Sequence, residues 1–257
     1  MEIIGQKNNI EKINNMLNNF PKFLVLIGKK GSGKKTLSKY IATQLNAGFA
    51  MCGIKVDEIR DTINTAMSVD SKTVYCIADA DNMSVAAKNA MLKVTEEPPN
   101  NAYFILTVCN EYTLLDTIKS RAMLLNMDKY SIVELMHYNP YAPQELYDIA
   151  DNFYELDLLL QYGNDFLDYV NLVFENIALV ESANAFKSSK SLALKSDEGY
   201  DLGLFWKAFI LKCYKKQGYY AKWLLTTAKC LYLVNRSYSN KEMLYNYWVL
   251  NIRRDYL

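Results

Sequence analysis

The stretch Val74-Tyr75-Cys76-Ile77-Ala78-Asp79-Ala80-Asp81-Asn82-Met83 decides the fold. It is followed by Asn89-Ala90-Met91-Leu92-Lys93, Glu96-Glu97-Pro98-Pro99, the apolar run Phe104-Ile105-Leu106-Thr107-Val108, and Thr117-Ile118-Lys119-Ser120-Arg121-Ala122. Two short apolar runs flank a helical segment that stops at two prolines, where no helix continues. Strand, helix, strand is the core unit of a parallel α/β layer.

Working back from there, Phe23-Leu24-Val25-Leu26-Ile27 is too continuously apolar for a half-exposed strand and predicts one covered on both faces. Gly28-Lys29-Lys30-Gly31-Ser32-Gly33-Lys34-Lys35-Thr36 follows directly. A glycine-rich loop between a strand and a helix start is the setting of a P-loop. Its glycines let backbone N–H groups converge on phosphates, and the helix N-terminus adds a favourable dipole. Gly28, Gly33 and Lys34 fit the pattern Gly-x-x-x-x-Gly-Lys-[Ser/Thr], and Gly31, Ser32, Lys35 and Thr36 complete the candidate nucleotide-binding set. Leu37, Tyr40, Ile41 and Leu45 give the next helix its apolar face.

The departure from the motif lies at Lys35, which occupies the position of the hydroxyl that coordinates Mg²⁺. An ammonium cannot ligate a metal and repels it. Thr36 is one residue late, so on a helix its side chain points about 100° away.

The order and spacing of these segments resemble the clamp-loader ATPases of DNA replication, an AAA+ family. The resemblance makes Val74–Ala78 the Walker B strand. Aligning Ala80-Asp81-x-Met83 with the family's Ala-Asp-x-Met puts Ala78 at the metal-holding aspartate and Asp79 at the catalytic glutamate. In the other register Asp79 is the metal ligand and no carboxylate orients the attacking water. Either way part of the hydrolytic machinery is missing. The sensor-1 position falls at Cys109 or Asn110. The family's Ser-Arg-Cys triplet, which carries an arginine finger, is matched by Ser120-Arg121-Ala122, so the resemblance gives Arg121 the role of a finger acting in trans. The plainer reading of Arg121 is a surface arginine in a salt bridge. Ile4-Gly5-Gln6 resembles the family's N-terminal box, and Ile54–Arg60 resembles a segment of its bacterial subunits. Bacterial relatives carry a four-cysteine zinc module near residues 47–54; here only Cys52 is present, so no zinc is expected.

Past Met127 the pattern is helical. Ser131-x-x-Glu134 and Ser239-x-x-Glu242 read as capping boxes. Asn139-Pro140-Tyr141-Ala142-Pro143 breaks the chain, and Gly163 stops a helix that reaches Tyr162. No arginine stands at the sensor-2 position near Gly163-Asn164-Asp165. Lys187–Gly199 reads as a loop or weak helix, and Leu202–Gln217 and Tyr219–Asn235 as apolar helices. Trp206, Tyr214, Trp223, Tyr232, Tyr245 and Trp248, at helical spacing, read as core or oligomer contacts rather than base-stacking platforms. Lys207, Lys212, Lys215, Lys216 and Lys222 read as a solvated face.

The chain has 257 residues, with 29 Lys+Arg against 28 Asp+Glu, so any nucleic-acid contact must come from a local patch. Five cysteines without a Cys-x-x-Cys pair read as free, mostly buried thiols, and the single histidine, His137, as structural. No apolar run reaches membrane-spanning length and no signal sequence is visible, so a cytoplasmic protein is expected.

The expected fold is α/β: a P-loop AAA+ parallel-sheet domain over residues 1–127, a small helical lid over 128–170 and an all-helical collar over 171–257. The resemblance is closest to the delta-prime type. It implies a subunit with a degenerate site, where ATP or ADP binds weakly or not at all, and little or no ATPase activity of its own. Its implied partners are the other subunits of a hetero-oligomeric ring, a sliding clamp and primer-template DNA. A gamma/tau-like motor subunit is one alternative, and a nucleotide-free scaffold or DNA-binding replication protein is another.

Overall fold

The computed structural model describes residues 3–177, 192–194, 198–216, 220–234 and 240–254. The Lys187–Gly199 stretch, apart from 192–194 and 198–199, and Ser239 of the second expected capping box lie outside these residues. The chain divides into two compact units, one of Met1–Tyr138 with Asn152–Tyr154, the other of Asn139–Asp151 with Glu155–Leu257.

The first unit is built on five strands: β1 (Phe23–Ile27), β2 (Gly48–Cys52), β3 (Thr73–Ile77), β4 (Ala102–Val108) and β5 (Met123–Asn126). They form a parallel sheet in the order β2-β3-β4-β1-β5. Its helices are α1 (Lys7–Asn15), α2 (Lys34–Gln44), α3 (Val56–Ser68), α4 (Val85–Glu96), α5 (Asp116–Lys119) and α6 (Ile132–Tyr138). The apolar continuity of β1 has the expected cause. Phe23, Val25 and Ile27 pack with Ile59 and Ile63 of α3, Met91 and Val94 of α4 and Ile118 of α5, while Leu24 and Leu26 pack with Ile13 of α1 and Leu37 and Ile41 of α2. Alternate side chains thus serve opposite faces.

Local signals set the helix starts. Ser84 caps α4 by accepting from the Ala87 N–H at 3.1 Å. The expected capping box at α6 is present: Ser131 N–H donates to Glu134 Oε2 at 2.8 Å and Glu134 N–H donates to Ser131 Oγ at 3.3 Å. β2 has no counterpart among the expected strands.

The second unit is helical, with α7 (Gln144–Ile149), most of α8 (Phe153–Tyr162), α9 (Asn164–Asn176), α10 (Leu202–Lys216), α11 (Ala221–Val234) and α12 (Lys241–Arg254). Its core is aromatic: Trp206, Trp223, Tyr245 and Trp248 are buried with Phe166, Phe205 and Phe209. Trp248 Nε1 donates to Thr227 Oγ1 at 2.8 Å, which satisfies the ring's one polar group. Tyr214 and Tyr232 are exposed. Asn240 caps α12 by accepting from the Met243 N–H at 3.1 Å, the place that sequence reasoning gave to Ser239. Lys207 is not a solvated charge: it pairs with Asp151 at 2.6 Å and Glu155 at 2.5 Å. Among the described residues, no helix is long and apolar enough to cross a membrane.

Candidate functional site

The C-terminal edge of the sheet gathers the sequence-predicted residues. β1 runs into the loop Gly28–Gly33, and Gly33, at φ 85°, starts α2. Gly31 has φ 83°, so two left-handed glycines bend the loop as a phosphate cradle requires. A Cβ on Gly31 would stand 2.3 Å from Tyr154 Cβ and 2.5 Å from Asn152 Oδ1, and one on Gly33 would stand 2.7 Å from the Tyr130 hydroxyl. Asn152, Tyr154 and Tyr130 thus wall the loop, and the Tyr130 hydroxyl donates to Ser32 O at 3.3 Å. Sequence reasoning missed these three residues. Lys30 Nζ donates to the Tyr154 hydroxyl at 3.0 Å and sits 4.2 Å from its ring centroid.

Lys34 is buried, and its ammonium is turned onto the loop itself, donating to Gly28 O and, at 2.9 Å, to Lys29 O. Burial pushes its pKa below the ordinary lysine value; Cys109, Asp79 and Asp81 act the other way. Lys35 points out of α2 toward Asp79, with Nζ 3.9 Å from Oδ2 and both side chains more than half exposed. Thr36 is half-buried on the next face of the helix.

β3 ends at Ile77, and Ala78 and Asp79 follow at its tip. Asp79 has φ 54°, and its N–H donates to the buried Thr107 Oγ1 at 3.1 Å. Asp81 is occupied elsewhere. Its carboxylate accepts from Cys109 N at 2.7 Å, Asn110 N at 3.2 Å and Thr113 Oγ1 at 3.0 Å, which fixes the turn after β4. Of the two sensor-1 candidates, Cys109 is exposed, while Asn110 uses its side-chain oxygen to accept from Tyr112 N at 3.0 Å. Thr107, the one polar residue in an apolar run, was the signal available for its anchoring role.

These residues do not fit a Mg²⁺ ion. Lys35 stands where the hydroxyl ligand belongs, Ala78 offers no oxygen from its side chain, and Asp79 already faces an ammonium.

Ile4-Gly5-Gln6 is tied to the chain that follows β5. Gln6, itself buried, donates through Nε2 to Asp128 O at 2.8 Å and accepts from Asp128 N at 2.9 Å. Asn9 Nδ2 donates to Gln6 Oε1 at 2.8 Å and to Asn126 O at 2.9 Å. The two glycine-flanked segments therefore share a wall, since Tyr130 lies against both Gly5 and Gly33.

Arg121 is not part of this cluster. It precedes β5, whose first residue Met123 is level with Leu24 in β1, whereas the P-loop begins beyond Ile27. Arg121 lies in the turn before β5, so it is displaced by about 13 Å along the strand direction, toward the N-terminal edge of the sheet. There it forms the salt bridge of the plainer reading, with Glu96 at 3.1 Å.

Residues 50–131 match a family model described as DNA polymerase III, delta subunit. The chain is 26% identical over 208 residues to DNA polymerase III subunit gamma of Buchnera aphidicola subsp. Schizaphis graminum, covering 67% of this chain and 56% of that protein. It is 38% identical over 78 residues to DNA polymerase III subunit delta' of Haemophilus influenzae, covering 29% of this chain and 24% of that protein. The matched stretches thus span about half, or less, of these relatives' lengths. Among solved structures, the RuvB Holliday junction branch migration motor of Thermotoga maritima aligns at a TM-score of 0.51 and 18% identity, covering 97% of this chain and 88% of that one, a likeness of fold. The parallel sheet, the P-loop and these likenesses together support a clamp-loader AAA+ ATPase family member.

Proposed function

We propose that this chain is a delta-prime-like subunit of a DNA replication clamp loader, helping to load a sliding clamp on primed DNA. Within a hetero-oligomeric ring it supplies Arg121 to a neighbouring ATPase site and hydrolyses little or no ATP itself. The observation that carries this reading is the separation of Arg121 from its own P-loop. A guanidinium at the far edge of the sheet cannot reach a phosphate in its own cradle, but it is free to meet one bound by another subunit. The Lys35 and Ala78 positions support it independently, since each removes part of a hydrolytic metal site.

A gamma/tau-like motor is the second reading. It is favoured by the longer match to subunit gamma and by the retained glycines and Lys34 of the P-loop. Steady-state ATP turnover by the isolated chain, and by the chain reconstituted with ATPase partners, separates the two. A silent isolated chain whose complex loses turnover on Arg121→Ala is the expected result. Robust Mg²⁺-dependent turnover by the isolated chain, abolished by Lys34→Ala, establishes the motor instead.

A further inference from the structure

Four lysines, Lys29, Lys30, Lys34 and Lys35, stand within residues 29–35, where the P-loop motif requires one. Beside Lys35, the Asp81 carboxylate is taken up by Cys109, Asn110 and Thr113, the Ala78 side chain carries no charge, and Asp79 faces the Lys35 ammonium. The loop also holds an unused polar group: Ser32 is 8% exposed and its Oγ has no hydrogen-bond partner among the described residues. That oxygen lies inside the loop, 2.6 Å from where a Cβ on Gly28 would stand.

In a working P-loop ATPase, Mg²⁺ links the helix hydroxyl to the acidic residue after the Walker B strand. Here the Lys35 side chain spans that relation itself, from the second residue of α2 to Asp79. We propose that this P-loop binds a metal-free nucleoside triphosphate, with the Lys35 ammonium supplying the positive charge that Mg²⁺ supplies elsewhere. The inference rests on reading Gly28–Thr36 as a phosphate cradle; it does not rest on the role of Arg121.

The Lys35–Asp79 pair does not plug the site. At 3.9 Å, with both side chains more than half exposed, it contributes little and yields to a triphosphate. Lys34 now donates to two neutral carbonyls, and charged phosphate oxygens are stronger acceptors than either. A nucleotide carrying Mg²⁺ brings a dication against Lys34 and Lys35 without a protein ligand to hold it, so the metal lowers affinity.

Titration of the full chain with a fluorescent ATP analogue, in EDTA and in excess Mg²⁺, tests this. Binding should be about tenfold tighter in EDTA, and Lys35→Thr should weaken it there about tenfold while leaving binding in Mg²⁺ unchanged or improved. Lys35→Met, which removes charge but keeps bulk, should behave like Lys35→Thr in EDTA, and circular dichroism confirms that both variants fold. Binding that requires Mg²⁺, or none in EDTA, overturns the proposal. Binding in EDTA that is lost in Lys34→Ala but indifferent to Lys35→Thr refutes metal replacement alone, and binding indifferent to Lys34→Ala refutes the cradle itself. If Lys35→Thr weakens binding to primed DNA and leaves nucleotide affinity unmoved, the lysines serve DNA phosphates and the proposal fails. The titrations use the isolated chain, in which a finger acting in trans has no neighbouring site to serve, so a failure here is distinct from a failure of the finger.

Discussion

Arg121 Nη2 meets Glu96 Oε1 at 3.1 Å, while Nη1 of the same guanidinium donates to Thr117 O at 3.1 Å. The arginine is thus held at the tip of α5 by the end of α4 and by its own preceding turn. Both side chains of the pair are substantially exposed, so the pair is worth at most about 1 kcal/mol. It orients the guanidinium without committing it, and a phosphate can displace Glu96.

Two measurements follow from that weakness. Glu96→Gln should change the stability of the isolated chain by less than about 1 kcal/mol in urea denaturation. In a reconstituted complex, Arg121→Ala should lower turnover at the neighbouring site by about 10³–10⁵, the range for a finger in trans. Arg121→Lys should restore only a small part, because an ammonium cannot present the planar fork. Full activity with lysine would mean that Arg121 contributes charge alone.

The α/β layer was legible because its strands are buried on both faces and therefore carry unbroken apolar runs, as β1 does. The P-loop was legible because only glycine suits the two left-handed positions that bend it. β2 was not, because Gly48–Cys52 is a short, partly exposed edge strand with no alternation to mark it. The partners of the site were hidden for another reason. Glu96 reaches Arg121, Tyr154 walls Gly31 and Gln6 grips Asp128 only through the fold, across separations that periodicity does not encode. Lys207 misled for the same reason, since Asp151 and Glu155 belong to other elements. Asp81 was visible as part of a family motif, but its use as a clamp on the turn after β4 was not.

That clamp is testable. Asp81→Ala removes one acceptor serving Cys109, Asn110 and Thr113 at once. The loss should be about 2 kcal/mol, because water can re-solvate the exposed donors only in part. Asp81→Asn should cost less, since its remaining oxygen still accepts. Urea midpoints at constant m-value give the comparison, and an unchanged midpoint for Asp81→Ala would show that the turn holds without its carboxylate.

The P-loop wall makes a second prediction about the fold. Gly31→Ala forces a Cβ onto a left-handed backbone and against Tyr154 Cβ, which is too close to its own main chain to step aside. The cost should exceed about 2 kcal/mol, the strain and the clash together. Gly48→Ala, in β2, is the control: the nearest atom to its Cβ would be 3.5 Å away, an ordinary contact. It should shift stability by no more than about 0.5 kcal/mol. Equal effects at the two positions would dissociate the destabilisation from the loop's geometry.

The helical unit should lose stability in alkali through its buried thiols. Burial pushes Cys213 up to about 12 and Cys230 up to about 11, against about 8.5 in an unfolded chain. Both folded-state values are raised, so the folded protein keeps protons that the unfolded chain releases. The stability associated with these thiols is therefore fully present below about pH 8.5 and falls as pH rises toward the folded values. The slope approaches roughly 1.4 kcal/mol per pH unit for each thiol that is ionised only when unfolded. Lysines and tyrosines titrate in the same range, so the informative quantity is a difference. Cys213→Ala should unfold at a lower denaturant concentration at pH 7, because it opens a cavity at a buried position of α10, yet its stability should fall less steeply between pH 9 and pH 11. Parallel pH profiles for the wild type and the variant would show that the Cys213 thiol does not stay protonated in the folded chain.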